Sequence, residues 1–151
     1  MVWLHSGRQL FGSSTFQAPS TSPNGFAALA LYDSVANGGN EDGIIDSRDA
    51  IWPSLRLWID ANHDGICQLE EMHTLPSLGI NSISLRYSLS ERVDQFGNQF
   101  RYRAAINPDD PGESRVGRLA YDVFFLVDLS TISADSEARK CMVVNPVDIE
   151  K

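Results

Sequence analysis

Several oxygen-bearing side chains stand close together between Asp60 and Glu71, and the chemistry they favour is the binding of a hard cation. Calcium takes about six to eight oxygen ligands from carboxylates, amides and carbonyls. The candidate ligands in this stretch, called loop 2 here, are Asp60, Asn62, Asp64, the carbonyl of Ile66, Gln68 and Glu71. A short segment with this composition predicts a calcium site.

The spacing of these residues is that of an EF-hand calcium loop. Counted from Asp60, the side chains fall at positions 1, 3, 5, 9 and 12, and Gly65 falls at position 6. A glycine there permits the sharp turn around the ion because a positive φ costs it little. The alternative is a metal-free surface turn rich in Asp, Asn and Gly, which the complete match to the pattern disfavours.

A stretch further upstream, called loop 1, repeats the pattern. Its candidate ligands are Asp33, Asn40, Asp42, the carbonyl of Ile44, Asp46 and Asp49. Counting back from Asn40 places Gly38, which has no side chain, at position 1. We therefore expect Asp33 to supply this ligand while the extra residues loop out through the flexible run around Gly38.

Loop 1 is expected to be the weaker site. Asp49 is shorter than Glu71 and less able to bind with both oxygens, which also favours tolerance of magnesium. The alternative is that loop 1 holds no metal and only pairs with loop 2. Two such loops pair at position 8, which here would join Ile45 to Cys67.

Helices are predicted on both sides of each loop. Ser22 and Pro23 provide an N-cap and a first helical residue for a helix over 24–32. The segment 46–59 is predicted to be helical with an interruption at its proline, and an exit helix is expected over 68–73. Further downstream, apolar and polar residues alternate, which indicates three strands of an antiparallel sheet.

The predicted fold class is therefore α+β, a paired EF-hand-like helix-loop-helix half followed by a small antiparallel β-sheet. The 151 residues are expected to form one globular unit. The predicted regions are an N-terminal arm over 1–22, the paired loops over 23–79, the sheet over 80–128 and a tail over 129–151.

Composition disfavours several classes of partner and site. The net charge of −8 argues against nucleic acid and anionic membranes, because both attract basic surfaces. No apolar run is long enough to span a membrane. The N-terminus lacks a signal peptide's basic start and apolar stretch, so the chain is expected to be cytoplasmic, exported by another route, or a fragment. Two cysteines, Cys67 and Cys141, are too few for a disulfide scaffold, and no zinc-ligand spacing is present.

The order of several motifs adds a resemblance to a family. The motifs are Gly7-Arg-Gln-Leu-Phe-Gly12, Asn24-Gly-Phe-Ala-Ala-Leu-Ala30, Asp42-Gly-Ile-Ile-Asp46, Leu55-Arg-Leu-Trp58, Leu75-Pro-Ser-Leu-Gly-Ile80 and Asp94-Gln-Phe-Gly-Asn98. Together they resemble the EF-hand-like calcium-binding modules of large secreted bacterial RTX-type proteins and of related uncharacterised bacterial proteins. The resemblance implies calcium binding by the loop residues named above and an extracellular or cell-surface location.

The chain departs from that family in two ways. The family has a further acidic loop upstream, and here Gln9 stands where its acid is expected. Some relatives cleave themselves at an Asp-Pro bond ahead of this region when calcium binds. This chain has Asp110-Pro111 inside a late loop instead, so the resemblance does not carry self-cleavage over.

The sequence therefore predicts a calcium-binding structural module that is not an enzyme. No Ser/His/Asp or Cys/His arrangement favours catalysis. The partner is calcium, at two sites. The alternatives are a calcium-dependent self-processing protease module, and an interaction domain in which calcium is a structural brace and an unidentified protein is the partner.

Overall fold

The computed structural model describes residues 11, 15–64, 66–109 and 118–126. In these ranges the chain is mainly β-structure with one short α-helix, α1 (Gly25–Leu29). The strands are β1 (Ile44–Asp46), β2 (Arg56–Trp58), β3 (Met72–Thr74), β4 (Ser82–Ser84), β5 (Ser88–Val93), β6 (Gln99–Ala105) and β7 (Leu119–Phe124). Short 3-10 turns cover Ala30–Asp33, Val35–Asn37, Trp52–Ser54, Leu69–Glu71 and Pro76–Leu78. Within this part of the chain, no helix has the length and apolar character needed to cross a membrane.

The strands pair in three antiparallel groups: β1 with β4, β2 with β3, and β5-β6-β7 in that order. An isolated bridge between Ile83 and Ile106 connects β4 to the end of β6. The antiparallel sheet predicted for the second half is therefore present, and its interior face carries the alternating buried residues Tyr102 and Ala104 of β6.

The predicted helix-loop-helix half is wrong. The helix expected over 24–32 is only α1, after which the chain tightens into a 3-10 turn ending at Asp33. Its N-cap is Asn24, not Ser22, because the Asn24 side chain accepts a hydrogen bond from the amide of Ala27 at 2.9 Å. The fold class is mainly β and not the paired EF-hand-like α+β arrangement.

Strands replace the expected helices around loop 2. Trp58 at the end of β2 pairs with Met72 at the start of β3, so the segments flanking the loop form a two-stranded ribbon. Pro53 precedes this ribbon and Pro76 follows it, and neither proline has a backbone N–H to donate to a helix. The segment between Glu71 and Pro76 is also too short for a helix to propagate. Its backbone groups form hydrogen bonds with β2 across the loop instead.

The two loops do not pair with each other, so the predicted contact between Ile45 and Cys67 is wrong. Ile45 is fully buried and pairs with Ile83 of β4. The amide of Leu85 continues this connection by donating to the carbonyl of Gly43 at 2.9 Å. Loop 1 is thus attached to the sheet half of the molecule.

A single apolar cluster joins the helix, the short strands and the sheet. Its buried members are Phe26, Leu29, Ile45, Trp52, Leu57, Leu75, Ile80, Ile83, Tyr102, Ala104, Ile106 and Ala120. Asp122 of β7 adds a polar contact, since its carboxylate accepts from the amide of Gly25 at 2.7 Å. The predicted tail over 129–151, most of the predicted arm, and the Asp110-Pro111 bond lie outside the described residues.

Candidate metal centre

Loop 2 connects β2 to β3, and Asp64 is the centre of its hydrogen bonds. The Asp64 amide donates to Asp60 Oδ1 at 3.1 Å and to Asn62 Oδ1 at 3.0 Å. The Asp64 carboxylate accepts from Asn62 Nδ2 at 2.9 Å, Ile66 N at 2.7 Å and Gln68 Nε2 at 2.9 Å. The structure therefore brings these five predicted ligand residues together around one turn.

Glu71, the predicted bidentate ligand at position 12, is buried and accepts hydrogen bonds on both carboxylate oxygens. Its Oε2 accepts from the Trp58 indole Nε1 at 2.8 Å, and its Oε1 accepts from the Ala61 amide at 3.0 Å. The Gln68 amide lies 3.4 Å from Oε2. The indole of Trp58, followed by the backbone donors, holds the pKa of Glu71 below its usual value. The carboxylate is therefore ionised and oriented across the base of loop 2 at neutral pH.

Loop 1 reproduces the same local bonds although no EF-hand helices flank it. Asn40 Nδ2 donates to Asp42 Oδ2 at 3.0 Å, and the Asp42 amide donates to Asn40 Oδ1 at 3.2 Å. The Ile44 amide donates to Asp42 Oδ1 at 2.9 Å. At position 12, Asp49 Oδ2 accepts from the Asp46 amide at 2.8 Å. Loop 2 has the same three bonds between Asn62, Asp64 and Ile66, at the matching positions 3, 5 and 7.

Asp33 lies at loop 1 despite the inserted residues. Its Oδ2 accepts from the amide of Gly43, the loop's position 6, at 2.9 Å. The insertion folds back onto it, since the Glu41 amide donates to the Asp33 carbonyl at 2.8 Å. Gly39 passes so close that a Cβ there would overlap the Asp33 carbonyl group. The structure thus places Asp33 where the missing first ligand was predicted.

Two carboxylate oxygens of loop 1 are buried without a partner. They are Oδ1 of Asp33 and Oδ1 of Asp49, in residues that are only 7% and 2% exposed. Burial raises the pKa of Asp49, and the negative charges of Asp33, Asp46 and Asp42 raise it further against the lowering effect of the Asp46 amide. Buried polar atoms normally have a hydrogen-bond partner, and these two oxygens are exceptions among the described residues.

Arg48 occupies the outer side of loop 1. Its guanidinium forms ion pairs with Asp42 and Asp46, at 2.7 Å from Asp46 Oδ2. These contacts hold the pKa of Asp46 below its usual value, with the side-chain bond from Arg48 as the largest cause. Sequence reasoning missed this residue, although its place between positions 9 and 12 of the loop was a usable signal.

The predicted ligands are neighbours but do not yet form a closed metal-ligating group. Across the described ranges, no three His, Cys, Asp or Glu side chains are placed to hold a metal ion together. In loop 1, Asp42 and Asp46 form ion pairs with Arg48. In loop 2, the side-chain amides of Asn62 and Gln68 donate hydrogen bonds to the Asp64 carboxylate. A cation at either loop would replace these bonds with oxygen coordination.

Other predicted features of the site have specific positions. The Sγ of Cys67 lies 3.3 Å from the sulfur of Met72. Gly65 and Cys141 lie outside the described residues. Trp58, which sequence reasoning assigned to the core, contacts Glu71 directly. An aromatic residue with a polar N–H just before the loop was the available signal for this contact.

The SPM domain family matches residues 3–125, which is most of the chain. This chain belongs to the SPM domain family. The chain is also similar to iron-regulated protein FrpA of Neisseria meningitidis serogroup C, at 37% identity over 117 residues. That match covers 77% of this chain and 10% of the relative, so the chain spans about a tenth of that relative's length.

The family match corrects the resemblance drawn from the motifs. The identification as an EF-hand-like module is wrong, because the family is that of the SPM domain and the described residues form mainly β-structure with one short helix. The bacterial part of the resemblance agrees with the similarity to a bacterial protein.

Proposed function

We propose that this SPM domain is a calcium-binding structural module of a larger, secreted bacterial protein, and that it is not an enzyme. The observation that carries the proposal is the pair of unpartnered, buried oxygens, Asp33 Oδ1 and Asp49 Oδ1. Two buried carboxylates that face each other's charge are costly unless a cation lies between them. Loop 1 is then the principal support for the proposal, and loop 2 adds a second set of oxygen donors.

The donor set favours calcium over softer metals. Both loops offer carboxylate, amide and carbonyl oxygens, which suit calcium, whereas zinc and copper prefer nitrogen and sulfur. Between Asp33 and Glu71 the chain has nine acidic residues and two arginines, so the loops carry a strong negative charge. In loop 1 the proposed ligand residues are Asp33, Asn40, Asp42, Ile44, Asp46 and Asp49. In loop 2 they are Asp60, Asn62, Asp64, Ile66, Gln68 and Glu71.

Calcium would act by stabilising the folded chain. A ligand that binds only the folded state adds about 2.7 kcal/mol when its concentration is a hundred times the Kd. Loop 1 joins the turn ending at Asp33 to β1, which pairs with β4, so an ion there would fix the helical segment against the sheet half. Extracellular calcium modules work at Kd values of about 0.1–1 mM, and this range fits an extracellular or cell-surface location.

The test is calcium titration of the full chain by isothermal calorimetry, with thermal unfolding measured in parallel. We expect two binding events and a higher Tm in calcium, and a smaller rise at the same concentration of magnesium. Mass spectrometry of the calcium-treated chain is expected to show an intact molecule. A flat titration with an unchanged Tm would refute the proposal, and calcium-dependent fragments would favour the self-processing alternative.

An exposed apolar patch favours one second candidate, an interaction domain braced by calcium. Phe96 and Leu126 are 70% and 72% exposed, and the Leu126 side chain reaches the hairpin turn at Gly97. The Leu126 amide also donates to Asn98 Oδ1 at 3.1 Å, which holds the patch in place. A Phe96→Ser and Leu126→Ser double variant should keep calcium binding. Under this candidate, the same variant in the full-length protein should increase proteolysis between modules.

A further inference from the structure

We propose that Trp58 positions Glu71 for calcium, by holding one carboxylate oxygen through its indole N–H while leaving both oxygens able to contact the ion. This inference rests on the proposed calcium function of loop 2. Trp58, a buried aromatic residue outside the twelve-residue loop pattern, would then help to set the calcium affinity of loop 2.

The geometry leaves room for the ion. Each oxygen of an ionised carboxylate has two lone pairs. On Glu71, the Trp58 indole occupies one lone pair of Oε2 at 2.8 Å, and the Ala61 amide occupies one lone pair of Oε1 at 3.0 Å. The Gln68 amide, at 3.4 Å from Oε2, is beyond the usual range of a strong N–H···O bond. The Asn62 amide is a further donor to the carboxylate and helps to lower the pKa of Glu71. Calcium would take the place of the Gln68 and Asn62 contacts, while the shorter bonds from Trp58 and Ala61 remain.

Trp58 is itself held rigidly. It is 8% exposed at the end of β2 and pairs with Met72, the residue that follows Glu71. The Ile59 amide donates to the Glu71 carbonyl at 2.9 Å, so the backbones on both sides of the indole contact are fixed to each other. A carboxylate held in its binding orientation loses less rotamer freedom when the ion arrives.

The closing residue of loop 1, Asp49, has no side-chain contact among the described residues that corresponds to the Trp58–Glu71 hydrogen bond. Asp49 Oδ2 accepts its bond from the Asp46 backbone, and Asp49 Oδ1 accepts none. Hydrogen bonds to metal ligands from outside the coordination sphere affect metal affinity by about 10–100-fold when removed. The contribution of Trp58 should therefore appear at loop 2 alone.

The first test compares Trp58→Phe with Trp52→Phe, both made in an Asp49→Asn background so that only loop 2 binds calcium. Trp52 is the matched control because it is also 8% exposed and packs in the core without contacting Glu71. We expect Trp58→Phe to weaken calcium binding by about tenfold or more, while Trp52→Phe leaves it unchanged. Equal affinities in the two variants would overturn the role of Trp58.

The second test uses the unaltered chain, so it remains decisive if Trp58→Phe does not fold. The indole N–H resonance of Trp58 is followed by NMR during calcium titration. We expect it to stay protected from solvent exchange at saturation and to shift in step with loop 2 occupancy. Loss of protection on calcium binding would show that Glu71 leaves Trp58, which contradicts the proposal.

The two proposals fail in different ways. If the unaltered chain binds no calcium in calorimetry, both the function and the role of Trp58 are refuted. If it binds calcium and Trp58→Phe matches Trp52→Phe, only the positioning role is refuted.

Discussion

Loop 1 and loop 2 have the same ligand spacing from position 3 to position 12 and share the hydrogen bonds among positions 3, 5 and 7, but their closing carboxylates are in opposite situations. Asp49 is buried with one oxygen unpartnered and near other negative charges. Glu71 is buried with donors on both oxygens, which favour its ionised form. The same loop pattern can therefore end in a carboxylate with one unpartnered oxygen, or in a carboxylate whose oxygens both accept hydrogen bonds. The effect of a bound ion on stability would differ between the two cases.

The loops also differ in what balances their charge. Loop 1 contains Arg48, which pairs with two of its carboxylates from the solvent side. In loop 2, the described ligand residues are bound instead by amides and by the Trp58 indole. Under the proposed function, calcium would compete with a guanidinium at loop 1, whereas at loop 2 it would meet a carboxylate already held by hydrogen bonds on both oxygens.

The largest expected effect is at position 12, where the two loops should respond with opposite signs before calcium is added. Burial raises the pKa of Asp49, so folding disfavours its charge at neutral pH, and Asp49→Asn should raise the Tm of the calcium-free chain. Glu71→Gln should lower that Tm, because hydrogen bonds favour the Glu71 charge in the folded state.

Each of these variants should lose one calcium-binding event in calorimetry. For Asp49→Asn, the loss of calcium-dependent stabilisation should be about 2.7 kcal/mol at a hundredfold excess over the Kd of loop 1. If both variants lower the calcium-free Tm, or if either retains two binding events, the contrast drawn between the loops is incorrect.

A smaller effect is expected from Gly39→Ala, which tests whether the insertion holds Asp33 in place. A Cβ at this position overlaps the Asp33 backbone, so the loop must shift, at a cost of about 1–3 kcal/mol in the free energy of unfolding. Calcium binding at loop 1 should weaken with it, and binding at loop 2 should not. Chemical denaturation and calorimetry measure the two quantities.

Gly79→Ala provides the matched control for the insertion. Gly79 has a φ of +70° and lies outside both loops, so alanine there should cost about 1–2 kcal/mol of backbone strain without changing calcium affinity. Equal calcium affinity in Gly39→Ala and Gly79→Ala would show that Asp33 is not a ligand.

The smallest expected effect is from Arg48→Gln. Removing the guanidinium frees Asp42 and Asp46, so calcium should bind loop 1 roughly two- to fivefold more tightly, the scale of an exposed ion pair. Arg56→Gln is the control, since the Arg56 guanidinium bonds the carbonyls of Pro53 and Leu55 instead. Weaker binding in Arg48→Gln would indicate that Arg48 supports the loop and does not compete with the ion.

The sequence alone was enough to place the local geometry of the loops. The bonds of Asp42 and Asp64 connect residues within four positions of each other, so spacing and residue type determine them without reference to the rest of the fold. The alternation that predicted an antiparallel sheet in the second half was also reliable, because period two directly reflects a strand with one buried face. The position of Asp33 beside loop 1 was also expected, because the loop lacked a first ligand and Asp33 was the acid upstream of it; its role as a ligand stays a prediction.

Tertiary structure decided the features that depend on distant partners. Strands replace the helices expected around loop 2 because β2 pairs with β3 across that loop, and the expected pairing of the loops is replaced by the pairing of β1 with β4. The local helical pattern carried no information about those partners. Asp49 and Glu71 are both buried and differ in their hydrogen-bond partners. The packing of the whole chain leaves one oxygen of Asp49 unpartnered and places the Trp58 indole against Glu71, and loop spacing does not encode either contact.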